Sequence, residues 1–154
     1  MTGTYCQDLK WPTGAGHFFS SNFGENRGDH FHMGLDIKTN GSTGAEVVAV
    51  EDGYIHRLVS NYNGYGKALY LMTVSGHEVL YAHLDSFTPV LEKVWRLQQA
   101  RRRSYRVDAN FSRREFQVKK GDVFVAAIVG RHAHRRIELG RCCDIGDAQR
   151  DEGD

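Results

Sequence analysis

The chain has 154 residues, enough for one domain, and 40% of them are hydrophobic, enough for a modest core. Its 20 Lys and Arg against 19 Asp and Glu leave bulk charge with no argument for nucleic-acid or membrane binding. No run of about 18 apolar residues predicts a transmembrane helix, and three cysteines (Cys6, Cys142 and Cys143) form no disulfide framework.

Residues 1–20 are polar and glycine-containing, and predict an irregular lead-in held to the core by Phe18 and Phe19. Met1 to Asp8 carries no charged-then-apolar export pattern. Leu35 and Ile37 alternate with Asp36 and Lys38, as a half-buried strand requires. Val47 to Val50 predicts a strand, Asp52-Gly53 a tight hairpin turn, and Tyr54 to Val59 the returning strand. Asn61 to Gly66 is a loop; GYGK within it follows a strand and precedes no helix, which excludes a phosphate cradle. Ala68 to Val74 and Glu78 to Leu84 are two further strands around Ser75-Gly76.

One segment breaks the β pattern. Thr88 suits an N-cap and Pro89 the first helical position. Val90, Leu91, Val94, Trp95 and Gln98 then follow helical spacing, which predicts a helix over 89–103. Arg101, Arg102, Arg103 and Arg106 read as its solvated end. Ser104 to Glu115 is polar linker, and Phe116 to Val125 is a strand, a turn at Lys120-Gly121 and a strand. The domain is expected over 21–140. The acidic stretch 141–154 is expected to be a disordered tail.

The chemistry concentrates in His30-Phe31-His32-Met33-Gly34-Leu35-Asp36. Imidazole and carboxylate are zinc ligands, and two donor atoms on one ion lie about 3–4 Å apart. In an extended strand the backbones of residues 32 and 36 would stand about 13 Å apart. The chain must therefore bend between them, and Gly34 could bend without steric cost. His30 is a further candidate ligand. His132 and His134, two residues apart, would share one face of a strand; both could ligate one ion, or one could ligate while the other faces substrate. His83 ends a predicted strand, where an edge histidine and a functional one look alike.

His32-Met33-Gly34-Leu35-Asp36 resembles the HxGxD motif of the LytM/lysostaphin-type (M23) zinc metallopeptidases. The resemblance continues in order. It takes in Asn22-Phe23-Gly24, the segment Gly44 to Gly53, Gly64-Tyr65-Gly66, Tyr81-Ala82-His83-Leu84 and Val118 to Asp122. It implies a small antiparallel β domain with one inserted helix, and a zinc endopeptidase that cuts the peptide cross-links of bacterial peptidoglycan. It further implies His32 and Asp36 as zinc ligands, with His83 acting on the attacking water or the transition state. By the same resemblance His134 would be the third ligand and His132 the second active-site histidine. A monomer working in the periplasm, at the cell surface or after secretion is expected.

The terminus departs from the family. Its last motif is glycine- and serine-rich ahead of H-L-H-F-E, whereas this chain has Gly130-Arg131-His132-Ala133-His134-Arg135-Arg136-Ile137-Glu138. Two readings follow. Either the histidine pair serves the site from a shortened loop, or the sequence from about Ala126 is unrelated. The second leaves a catalytically inactive wall-binding or hydrolase-regulating module as the alternative function.

Overall fold

A computed structural model describes residues 9–14, 16–38, 45–62, 64–127 and 136–142. It is mainly β, with antiparallel sheets and one helix among the described residues. The strands are β1 (Phe19–Ser21), β2 (Gly34–Lys38), β3 (Val47–Val48), β4 (Gly53–Ser60), β5 (Lys67–Thr73), β6 (Glu78–Leu84), β7 (Ser86–Phe87), β8 (Val107–Asn110), β9 (Gln117–Val118), β10 (Val123–Ala127) and β11 (Arg136–Cys142). Helix α1 spans Pro89–Arg102. The larger sheet runs β1-β2-β11-β6-β5-β4-β8, with β9 also on β4; the smaller runs β3-β10-β7. No helix among the described residues is long and apolar enough to cross a membrane.

The core fills one face of the large sheet. Ile55 and Leu58, Leu69 and Leu71, and Tyr81 and Leu84 come from β4, β5 and β6. Val47, Phe87 and Phe124 of the small sheet meet them. Tyr81 packs edge-on against Phe124 with centroids 4.9 Å apart, and its hydroxyl accepts from the Val50 amide at 3.1 Å. Burial drives the Tyr81 hydroxyl pKa well above its ordinary value.

Helix α1 begins where Thr88-Pro89 sets it. Thr88 holds the cap position without a side-chain bond, and Pro89 occupies the first turn, where a missing N–H costs nothing. Arg103 ends it in the left-handed region, φ 47°. Leu91 and Trp95 are its buried contacts, whereas Val90, expected on that face, is exposed. The Trp95 indole donates to Ser60 Oγ at 2.9 Å, and Lys67 Nζ sits 3.9 Å from the ring centroid while pairing with Glu92.

Four expectations change. Phe18 and Phe19 are exposed; the lead-in is held instead by buried Pro12, a Thr13–Val47 bridge and the Lys10 amide on Val50 O. Asp52-Gly53 is not a hairpin between β3 and β4, because β3 pairs with β10 in the other sheet. The Asp52 carboxylate instead accepts from the Lys120 amide at 2.8 Å and from Lys119 Nζ at 3.0 Å. Those bonds, the Lys120 amide foremost, hold its pKa below the usual range. Third, the polar linker contains β8, whose Val107 and Ala109 are buried and whose Asp108 grips Arg57 through two bonds of 2.8 and 2.7 Å. Fourth, β11 runs on to Cys142, so Arg141 and Cys142 belong to the sheet and not to a tail.

Gly53 has a different reason from turn chemistry. A Cβ there would lie 2.2 Å from the Met72 carbonyl oxygen across the β4–β5 pair. Gly53→Ala is expected to cost about 1–3 kcal/mol in urea unfolding. Gly14→Ala, where nothing lies within 4 Å of the added carbon, should stay within about 0.5 kcal/mol of the parent.

Candidate functional site

Residues 22–33 fold back on themselves ahead of β2. The Gly24 amide donates to His32 O at 2.7 Å, the His32 amide to Glu25 O at 2.8 Å, and the Arg27 amide to His30 O at 2.8 Å. Gly28 closes the tip at φ 89°, with its amide on Asn26 Oδ1. His32 therefore belongs to this loop and Asp36 to the strand. Gly34, expected to be the bend, is the first residue of β2.

The two side chains meet at the start of the strand. His32 Nε2 lies 3.3 Å from Asp36 Oδ1, with the His32 side chain 6% exposed and that of Asp36 0%. On the other side of the ring, Nδ1 stands 3.0 Å from Asn22 O and 3.1 Å from Ser21 Oγ. A carbonyl only accepts. The Ser21 hydroxyl donates to Glu25, so Oγ also accepts, and it takes a further bond from Arg27 at 2.7 Å. The ring hydrogen thus sits on Nδ1, and Nε2 turns toward the carboxylate. A proton on Nε2, or a cation between the two atoms, makes this approach attractive.

Arg27 completes the arrangement by donating to Asp36 Oδ2 at 3.0 Å. Its bond leaves Oδ1 as the oxygen facing His32. The hydrogen bond from Ser21, and then the Arg27 charge, hold the Glu25 carboxyl below its usual range. Sequence reading named His32 and Asp36 but missed Ser21, Glu25 and Arg27, which only the folded loop brings to them.

His83 reaches the same side of the sheet through a β-bulge. Tyr81 pairs with Leu69 and Leu84 with Lys67, so Ala82 and His83 together face Ala68 alone. Strict alternation from Tyr81 would send residue 83 to the core. The extra residue gives that place to Leu84 instead. His83 pays with a φ of 58°, unusual for a residue with a side chain, and its amide donates to Tyr65 O at 3.0 Å. The two rings lie 6.3 Å apart, and Tyr65 packs on Ala68, Leu80 and Ala82 of the outer face. Leu35 shares the row of Tyr81 through β11, which puts Asp36 on the outer face as well. His83 and Asp36 thus stand on one face, two strand spacings or about 10 Å apart at the backbone.

The donor separation fits one shared ion, since two zinc bonds of about 2 Å set ligands about 3–4 Å apart. The Nδ1 contact to a carbonyl is the usual orientation for a ligating histidine. Among the described residues, no three His, Cys, Asp or Glu side chains are grouped to hold a metal. His132 and His134 lie outside the described residues. His30 is drawn to Asp29 at 2.6 Å on the surface, not toward His32 Nε2. A cleft of about 540 Å³ between Tyr54, Thr73, Arg113 and Val118 shares no residue with His32, Asp36 or His83. Compared with known proteins, the chain matches no family model and no curated protein.

Proposed function

We propose that this chain is a zinc-dependent metalloendopeptidase of the LytM/lysostaphin type that hydrolyses peptide cross-links of bacterial peptidoglycan. The observation that carries the reading is the 3.3 Å approach of His32 Nε2 to Asp36 Oδ1, with Nδ1 held on a carbonyl. The ordered motif resemblance and the bulge at His83 support it. When bound by His32 and Asp36, zinc would supply Lewis acidity, polarising the scissile carbonyl and acidifying a water. Arg27 and Ser21 keep the carboxylate and the ring in place. His83, across the same face, takes the proton of the attacking water and returns it to the leaving amine. Phe23, Phe31 and Met33, exposed beside His32, offer an apolar rim to a peptide. The family's setting places this work outside the cytoplasm.

A second reading, an inactive module that binds cell wall or regulates a hydrolase, draws on β11, which contains no histidine from Arg136 to Cys142. Dye-labelled cell walls separate the two. Dye release that stops with a chelator and returns with zinc is expected for the peptidase. Wall binding without release would favour the module.

A further inference from the structure

The cleft of about 540 Å³ shares no residue with the His32–Asp36 site, and its size suits a small ligand. Among the described residues that line it, three are charged: Asp52, Arg113 and Lys119. Asp52 and Lys119 pair with each other at 3.0 Å. Arg113 is exposed, and no carboxylate among the described residues pairs with it. The nearest acid in sequence, Glu115, accepts from the Ser112 amide and hydroxyl at 2.5 and 2.8 Å, and Asp108 is held by Arg57. The cleft is therefore left with one uncompensated positive charge, on a planar fork that matches a carboxylate through two parallel bonds. A phosphate group would bring up to about two negative charges to this one cation.

The rest of the lining selects the body of the ligand. Tyr54 and Met72 stand directly opposite each other on β4 and β5. Val74, just past β5, is 66% exposed, so apolar surface stands uncovered in the same cleft. Gln117 adds a side-chain amide that can both donate to and accept from a peptide group. We propose that this cleft binds the C-terminal end of a short apolar peptide, with its carboxylate on Arg113. Such a site needs no zinc at His32 and Asp36, so it stands or falls apart from that reading.

The test is a titration of the chain with acetyl-alanyl-valine, and with the same dipeptide as its C-terminal amide, followed by the backbone amide resonances in NMR spectra. The acid is expected to saturate with a Kd of about 1 mM or tighter, and to shift resonances of residues 52–54, 72–76 and 113–119. The amide keeps the apolar body and loses the charge, so it should bind about ten- to a hundredfold more weakly, the usual worth of hydrogen bonds to a charged group. Arg113→Gln should weaken the acid by a similar factor, with an unchanged thermal melt because the side chain is exposed. Arg114→Gln, at an exposed neighbour outside the cleft, should bind as the wild type does. Pentanoate, a carboxylate without a peptide group, should bind more weakly than the dipeptide, and equal binding overturns the assignment to a peptide. Equal binding of acid and amide, unaltered binding in Arg113→Gln, or no saturation by about 10 mM overturns the proposal. Shifts confined to residues outside the cleft overturn it as well.

Discussion

Replacing His83 with asparagine is expected to lower turnover on cell-wall cross-link peptides by about 10²–10⁴-fold, the usual contribution of a positioned acid–base group. Zinc affinity should not change, because His83 stands two strands from Asp36. Asparagine is the substitution of choice because it tolerates the left-handed backbone, and His83 has a φ of 58°. Alanine keeps the Cβ penalty that histidine already bears there and offers no short polar side chain to offset it, so it is the poorer choice. Steady-state kinetics beside a thermal melt separates the two effects. A drop in turnover with an unchanged melt assigns His83 to the chemistry. A melt lowered in proportion to the activity would instead assign it to the bulge.

Arg27→Met is expected to be the most destabilising change near the site. It removes the cation from Asp36 Oδ2 and leaves a carboxylate with no exposed surface. Breaking one side of a wholly buried pair costs about 3–5 kcal/mol. Arg27 is 24% exposed, so water can partly replace it and the cost should fall near the low end, about 3 kcal/mol. Zinc should narrow the gap. A ligand that binds only the folded state adds about 4 kcal/mol at a thousandfold excess over its Kd, and in the variant it also neutralises Asp36. Urea unfolding of both proteins, with chelator and with saturating zinc, reads this directly. An equal deficit in both conditions would mean that zinc and Arg27 serve different carboxylates.

Much of the fold was legible because its signals are local. Thr88-Pro89 and the spacing of Leu91 and Trp95 mark the helix without reference to anything else in the chain. Strands β5 and β6 announce themselves by apolar residues on both sides of a Ser-Gly turn. Where local and tertiary signals separate, the reading changed. Val107 and Ala109 are too small and too closely flanked by charge to announce a strand, and only pairing with β4 makes them one. Gly53 looks like turn chemistry, yet its place is set by the Met72 carbonyl.

The site divides in the same way. His32 and Asp36 could be named because an imidazole and a carboxylate, both zinc-ligand types, stand in a stretch that resembles the HxGxD motif. The bulge that turns His83 outward depends on one extra residue in β6 relative to β5, which is visible only when the strands are paired. Ser21, Glu25 and Arg27 were silent because their meaning lies in the loop that returns them to His32.

One measurement reaches the His32–Asp36 donor pair most directly. The purified chain, stripped with chelator and dialysed against zinc, is assayed for bound metal beside Asp36→Asn. Close to one zinc per chain in the wild type, and its loss in the variant, is the predicted result. Metal retained equally by both proteins, or by neither, would contradict the claim that His32 and Asp36 form half of a zinc centre.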